Sequence, residues 1–374
     1  MAGIYIHIPF CKQACHYCNF HFSTSLRTKN GFITALLNEM VIQAGYLQQE
    51  PVETIYFGGG TPSLLSGDEI KMMLEALAAS FNIAPAAEIT LEANPDDLNP
   101  AKLLELKAAG INRLSIGIQS FFEEDLRWMN RAHNAQQSID CIRSAHEAGF
   151  YNISIDLIYG TPGLTDDKWQ QNVQRAIASD IPHLSCYALT VEPKTALDHL
   201  IRSKQFADVD PDQQARQFLL LMDWTAAAGY EHYEISNFSK PGWRSKHNTS
   251  YWLGKKYLGL GPSAHSFNGI SRQWNVANNA LYIQSLEQQK IPFEKEELTA
   301  VQRLNEYIMT SLRTMEGLDV DHVKNNFGQE AEETIIRLAD KFIEAGNIQW
   351  DENHLKLTKE GKLLADGIAA EMFF

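Results

Sequence analysis

The chain has 374 residues, of which 44% are hydrophobic and 21% charged, a composition of folded globular proteins that excludes disorder, collagen-like repeats and low complexity. Lys and Arg number 32 against 46 Asp and Glu, a net charge of −14, and so acidic a surface disfavours DNA, RNA and anionic lipid as partners. No apolar run approaches the roughly 20 residues of a membrane span, and the first residues lead into a motif without a signal region, so the expected location is cytoplasmic.

In chain order, β-rich runs fall at residues 4–9, 54–57, 88–92, 113–119, 152–158 and 183–189, and segments of helical periodicity lie between them at 31–47, 68–81, 100–109, 135–148 and 166–179. Such alternation implies parallel strands joined by right-handed helical crossovers. Runs such as LSIGI and ISIDLI are apolar enough for strands buried on both faces. The alternation stops after six units, so the expected α/β fold is a partial (β/α)6 TIM-like barrel over residues 1–210, not a closed barrel of eight. A further helix is expected at 212–229, then loops and short strands at 231–261, and residues 211–294 read as an extension linking the barrel to the C-terminal part. Helices near 299–315, 320–326 and 330–345 and a hairpin at 348–358 predict a C-terminal winged-helix-like α+β domain over 295–374. Its 9 Lys and Arg against 16 Asp and Glu point away from DNA, toward a packing or partner role.

Cys11, Cys15 and Cys18 stand at C-x-x-x-C-x-x-C spacing just after the first strand, at the strand end where β/α barrels build their sites. Zinc normally takes four ligands, and a fourth cysteine is missing nearby, although His16 and His21 offer imidazoles. Three thiolates suit a [4Fe–4S] cluster with one iron left open. Cys141 and Cys186, isolated in apolar surroundings, read as small core residues. The second strand ends in YFGGGTP at 56–62, where glycines allow close backbone approach of a ligand. Glu92, Gln119 and Asp156 lie on the third, fourth and fifth strands, so polar groups converge on one barrel mouth.

The cysteine spacing followed by GGGTP resembles the radical S-adenosylmethionine (SAM) superfamily. More closely, YIHIPFC, LSIGIQS, IDLIYG and GLGPSAHS resemble the oxygen-independent coproporphyrinogen oxidase family over essentially the whole chain. The resemblance implies a radical SAM barrel in which Cys11, Cys15 and Cys18 bind a [4Fe–4S] cluster while Tyr5, Tyr17, Gly59, Gly60, Thr61, Glu92, Gln119, Arg131 and Asp156 surround SAM. It also implies reductive cleavage of SAM to methionine and a 5′-deoxyadenosyl radical, with the cofactor supplying the hard step. Three features separate the chain from the coproporphyrinogen dehydrogenase branch, HemN: only four residues precede Tyr5, Asn19-Phe20 stand where that enzyme has a further cysteine, and residues 247–252 read HNTSYW, the pattern of the heme-chaperone branch, HemW.

Within that motif His247 is the expected heme contact, placed outside the barrel mouth, with Tyr251 and Trp252 suited to a porphyrin face; His7 is a second candidate. The resemblance therefore implies a protein that binds heme and passes it to acceptor hemoproteins, served by an electron donor such as flavodoxin or ferredoxin. The alternative is oxidative decarboxylation of coproporphyrinogen III with SAM, and the differences from that branch predict that this activity is absent. A homodimer and peripheral association with a membrane are further expectations, whereas nucleic acid is not an expected partner.

Overall fold

The computed structural model describes residues 2–374. The first half alternates strand and helix through β1 (Ala2–Ile8), α1 (Lys29–Ile42), β2 (Val52–Gly59), α2 (Gly67–Ser80), β3 (Ile83–Ala93), α3 (Pro100–Ala109), β4 (Arg113–Gln119), α4 (Glu123–Trp128), α5 (Ala135–Glu147), β5 (Ile153–Tyr159), α6 (Asp166–Ala178) and β6 (His183–Ala188). Strands β1 to β6 pair parallel in chain order, which is the open arc that the alternation predicts. Helix starts follow local chemistry: Ser66 and Glu69 close a capping box at α2, and Asn134 and Gln137 do the same at α5.

The strands are buried on both faces, yet the two faces differ. Ile4, Ile6, Ile8, Leu114, Ile116, Ile153, Ile155 and Leu184 join the apolar core under the helices. The alternate positions, including Tyr5, Thr54, Tyr56, Glu88, Thr90, Glu92, Arg113, Ser115, Ser154, Asp156, His183 and Ser185, turn to the lumen by the period-two rule. The lumen is therefore polar and hydrogen-bonded, as in Ser154 Oγ to His183 Nδ1 at 2.7 Å and His183 Nε2 to Tyr233 Oη at 2.7 Å.

After β6 the chain forms α7 (Ala196–Arg202), α8 (Pro211–Ala227), β7 (Glu231–Glu234), β8 (Asn237–Ser239), α9 (Lys246–Trp252), β9 (Lys256–Leu260), β10 (His265–Phe267), β11 (Ser271–Asn275), α10 (Asn279–Glu287) and β12 (Phe293–Glu297). These strands extend both edges of the arc, and among the described residues twelve strands make one sheet of order β12-β11-β10-β9-β1-β2-β3-β4-β5-β6-β8-β7. Strand β9 pairs parallel with β1, so a seventh parallel strand stands where sequence reading predicts loops and short strands. Its five residues follow the short helix α9, and the pairing partner lies about 250 residues away.

The C-terminal part comprises α11 (Ala300–Leu312), β13 (Leu318–Asp319), α12 (Val320–Phe327), α13 (Gln329–Glu344), β14 (Ile348–Asp351), β15 (His354–Leu357) and α14 (Ala365–Glu371). A small antiparallel sheet of order β13-β15-β14 closes against the helices in winged-helix order, around a core that includes Leu304, Ile308, Val323, Ile335 and Leu355. It docks on the barrel through backbone bonds, Ile235 N to Arg313 O at 3.1 Å and Met315 N to Tyr233 O at 3.0 Å.

The edge built from β9 to β12 is tied to α1 by a buried carboxyl. Glu39 is 0% exposed and accepts hydrogen bonds from Gly261 N at 2.8 Å, Asn275 Nδ2 at 2.6 Å and Tyr282 Oη at 2.5 Å. Burial pushes its pKa from 4.5 up to about 7, against the lowering effect of these three donors. Between pH 4.5 and 7 the folded protein then holds a proton that the unfolded chain releases, so the Glu39 contribution to stability falls as pH rises through that window. Glu39→Gln removes this dependence. Denaturant unfolding of both forms should show the wild type losing stability relative to the variant by up to about 1.4 kcal/mol per pH unit from 4.5 to 7, whereas parallel pH profiles would refute the assignment.

Candidate functional site

The cysteines occupy the loop between β1 and α1, and backbone bonds fold that loop over the barrel mouth. Cys11 N bonds Ser23 O at 3.0 Å and Ser23 N bonds Pro9 O at 2.9 Å, while Gly60 N bonds Ile8 O at 2.8 Å and Thr61 N bonds Phe10 O at 2.6 Å. Gly60 is the close-approach position: a Cβ there would lie 2.5 Å from Phe10 O and 2.9 Å from Ile8 O. The GGGTP segment thus seats the cysteine loop as well as bordering a cavity. His16 and His21 brace the loop, through His16 Nδ1 to Trp128 O at 2.9 Å and His21 Nε2 to Asn279 Oδ1 at 2.7 Å.

Cys11, Cys15, Cys18, Tyr17, Gly59, Gly60, Thr61, Glu92, Gln119, Arg131 and Asp156 all line one cavity of about 460 Å³. Each comes from a strand end or from the loop above it. Gln119 sits at a register shift between β4 and β5 with φ +65°, a strained left-handed residue of the kind that collects at functional sites and re-aims a side chain. Glu92 accepts from Tyr56 Oη at 2.8 Å and Gly59 N at 3.2 Å, and burial nevertheless raises its pKa to about 7; burial also raises Asp156, to about 6. Sequence reasoning missed Asn94 and Gly117 as the groups that hold Arg131; Gly117 falls within the LSIGIQS motif, and nothing in the pattern marks Asn94.

Arg131 would by default be a solvated charge on a helix or loop. Instead it turns into the cavity, with Nη2 donating to Asn94 Oδ1 at 2.7 Å and Gly117 O at 2.9 Å, and Nη1 to Cys15 Sγ and Tyr17 Oη, both at 3.3 Å. Its Nε is buried without a partner. Among the described residues no group of three His, Cys, Asp or Glu side chains converges on a single ion. A cube of four irons is larger than an ion, so ligands spread along one cavity wall suit it where a convergent set would suit zinc. Three thiols, an Arg on one sulfur and a buried guanidinium nitrogen without a protein partner fit such a cluster with an anionic ligand beside it. Cys141 and Cys186 are buried in the core, apart from this loop.

Two expected residues lie elsewhere. Tyr5 lines a second, larger cavity of about 960 Å³, its ring stacked on Tyr56 at 6.1 Å between centroids. His247 lines neither cavity. HNTSYW forms helix α9, not a polar loop, and packs His247 beneath the barrel at 1% exposure. Its Nδ1 is bonded to Thr54 Oγ1 at 2.8 Å and its Nε2 to Tyr251 Oη at 2.8 Å, and its ring stacks on Tyr56. Both of its nitrogens are thus engaged within the protein, and the motif residues that reach the larger cavity are Tyr251 and Trp252. His7 borders that cavity too, but it is likewise satisfied, by Tyr5 Oη at 3.2 Å and His21 O at 2.8 Å. Phe20, 67% exposed, lines both cavities and stands between them.

An open β/α arc with three cysteines on its first loop defines a radical SAM protein, and residues 5–176 match the Radical SAM superfamily while residues 298–364 match the HemN C-terminal domain. That superfamily implies a [4Fe–4S] cluster and SAM as cofactors. The chain is 34% identical over 371 residues to the protein named Heme chaperone HemW of Bacillus subtilis, covering 98% of each chain, and 35% identical to that of Mycobacterium tuberculosis, covering 98% of this chain and 93% of the relative. In Escherichia coli the protein of that name is 38% identical over 272 residues, 70% of this chain and 69% of the relative. The chain belongs to the HemW heme-chaperone family. Its fold also superposes on Escherichia coli HemN, a coproporphyrinogen III oxidase, with a TM-score of 0.86 at 24% identity, over 100% of this chain and 90% of that one.

Gly60→Ala tests the seating of the loop. Because the atoms that a Cβ would meet are backbone, overpacking should cost about 1–3 kcal/mol in denaturant unfolding and lower the iron bound after anaerobic reconstitution. Gly45→Ala, with nothing within 4 Å of the added carbon, should change neither. Wild-type stability and iron in Gly60→Ala would show that the loop is seated by something else.

Proposed function

We propose that this protein is a heme chaperone that binds heme and transfers it to acceptor hemoproteins. The observation that carries the reading is the pairing of cavities. A chamber of about 460 Å³ with three cysteines lies beside an aromatic chamber of about 960 Å³, and Phe20 borders both. The larger one is of the size that encloses a drug-sized or cofactor-sized ligand.

In this reading Cys11, Cys15 and Cys18 hold the [4Fe–4S] cluster. Gly59, Gly60 and Thr61 offer backbone to the amino-acid end of SAM, and Tyr17, Glu92, Gln119, Arg131 and Asp156 line the remainder. The bound cluster supplies one-electron chemistry toward SAM. Arg131 donates to Cys15 and holds positive charge against the thiolates, Glu92 orders the Gly59 backbone, and Phe20 screens the cluster chamber from the larger one. His247 works at one remove, fixing the Tyr251 hydroxyl in the wall of the heme chamber. An electron donor of the flavodoxin or ferredoxin class serves the cluster, the protein acts in the cytoplasm, and a homodimer and a peripheral membrane contact complete its partners. Residues 1–210 carry the cofactors, 211–294 the heme-chamber wall and 295–374 its far side.

The test uses anaerobically reconstituted full-length protein. Heme uptake should be stoichiometric and followed by transfer to an apo-hemoprotein, without conversion of coproporphyrinogen III. The triple variant Cys11→Ala, Cys15→Ala, Cys18→Ala should lose essentially all cluster iron, because the thiolates are the metal ligands. Turnover of coproporphyrinogen III to protoporphyrinogen IX would instead place the protein in the dehydrogenase branch, and full iron in the triple variant would move the cluster elsewhere.

A further inference from the structure

The barrel lumen holds a run of hydrogen bonds that begins at Asp156, which lines the cysteine-bearing cavity, and ends at Tyr233 on β7, which lines neither described cavity. Asp156 pairs with Ser185 in the register of β5 and β6, and the Ser185 hydroxyl donates to its carboxyl. Ser185 Oγ meets Ser154 Oγ at 3.2 Å, Ser154 Oγ meets His183 Nδ1 at 2.7 Å, and His183 Nε2 meets Tyr233 Oη at 2.7 Å. Ser154, His183, Ser185 and Tyr233 are all buried, so bulk water does not compete for these bonds.

The direction of the run is set at its far end. His183 is 0% exposed, and burial with the nearby Arg113 guanidinium holds its pKa well below the usual range. The ring is therefore neutral and carries one N–H. Tyr233 Oη accepts from the backbone N–H of Ser245, the residue that caps α9, which leaves its own hydrogen for His183 Nε2. The ring hydrogen then sits on Nδ1 and points to Ser154, Ser154 donates to Ser185, and Ser185 donates to Asp156. Every donor in the line faces the carboxylate. Hydrogen bonds aligned in a buried chain polarise one another, and donors to the charged form of a carboxyl favour that form.

Asp156 needs such support. The charged and titratable groups around it are Arg113 on β4, Arg131 beyond that strand, Glu92 on β3, Tyr56 on β2, and Cys186 and Tyr187 on β6. Burial raises its pKa to about 6, and the Ser185 donor and the two arginines oppose that rise. A proton gained here would turn one carboxyl oxygen from acceptor into donor.

We propose that His183 is a positioning residue for Asp156, ordering Ser154 and Ser185 so that the carboxyl stays ionised and accepts from SAM at the cavity. The assignment rests on the reading that Asp156 borders bound SAM. Calorimetry follows SAM binding to anaerobically reconstituted full-length protein from pH 5 to 8, for wild type, Ser154→Ala, Tyr233→Phe, Asp156→Asn and the double variant Tyr233→Phe, Asp156→Asn. Wild-type affinity should rise with pH as Asp156 ionises. Ser154→Ala and Tyr233→Phe, at positions outside the cavity lining, should move that rise up by roughly half a pH unit to one unit, the worth of one hydrogen bond. Both should match wild type at pH 8, where a variant that merely damaged the fold would not. In the Asp156→Asn background Tyr233→Phe should change nothing, since the remaining pH dependence belongs to Glu92. In 15N-histidine-labelled protein, the ring signal that Tyr233→Phe shifts should be that of an Nδ1–H tautomer in the wild type. An unmoved transition in both single variants, an equal loss of affinity at every pH, or an Nε2–H tautomer overturns the role of His183 while leaving the SAM site intact. Wild-type affinity in Asp156→Asn at pH 8 instead places SAM elsewhere, and the proposal falls with it.

Discussion

The site depends on one contact: the carbonyl oxygens of Ile8 and Phe10 lie against Gly60, with Gly60 N and Thr61 N bonding back to them. This contact joins the end of the first strand to the end of the second. It decides where the chain leaves β1 and hence where three thiols can stand. Any side chain at Gly60 would push the loop outward, and with it the cysteines; the third glycine of the segment is explained by a neighbouring backbone at least as directly as by a ligand.

Below that contact the barrel keeps a polar lumen inside an apolar shell. Strand positions of one parity fill the core beneath the helices, and those of the other present Glu92, Asp156, Ser154, His183 and Arg113 to one another. Buried polar groups are tolerated when they are hydrogen-bonded, and most of these are. The exceptions are informative: Arg113 keeps two buried guanidinium nitrogens and Arg131 one without a protein partner, and Arg131 lines the cavity where a cofactor fits. Burial lifts Glu92 and Asp156 toward neutral pKa values despite their donors, so the mouth carries less negative charge than its composition suggests.

The second cavity depends on contacts between distant parts of the chain. Helix α9 is pinned by His247, whose two nitrogens reach Thr54 on β2 and Tyr251 one helical turn on; Gly3 leaves the space that this ring needs. Tyr251 then stands edge-on to Tyr257, 4.6 Å between centroids, and together with Trp252 it faces the C-terminal helices. The winged-helix-like part thus acts as a wall. Backbone bonds at Ile235 and Met315 join it to the barrel.

Local patterns along the chain establish the six parallel strands, the helices between them, the cysteine spacing and the convergence of Glu92, Gln119 and Asp156 on one mouth, because period-two and period-3.6 alternation and capping residues leave a direct trace in the order of amino acids. Residues 247–252 were legible as a motif but not as a buried helix, since a histidine with its neighbours reads the same in a loop as under a barrel. It took the folded chain to reveal that β9 pairs with β1, that Arg131 turns inward toward Asn94 and Gly117, that His247 bonds Thr54 and Tyr251, and that Tyr307 and Tyr251 line one cavity. Each of these depends on groups far apart in the chain that packing brings together, and no local periodicity records which distant partner a side chain will meet.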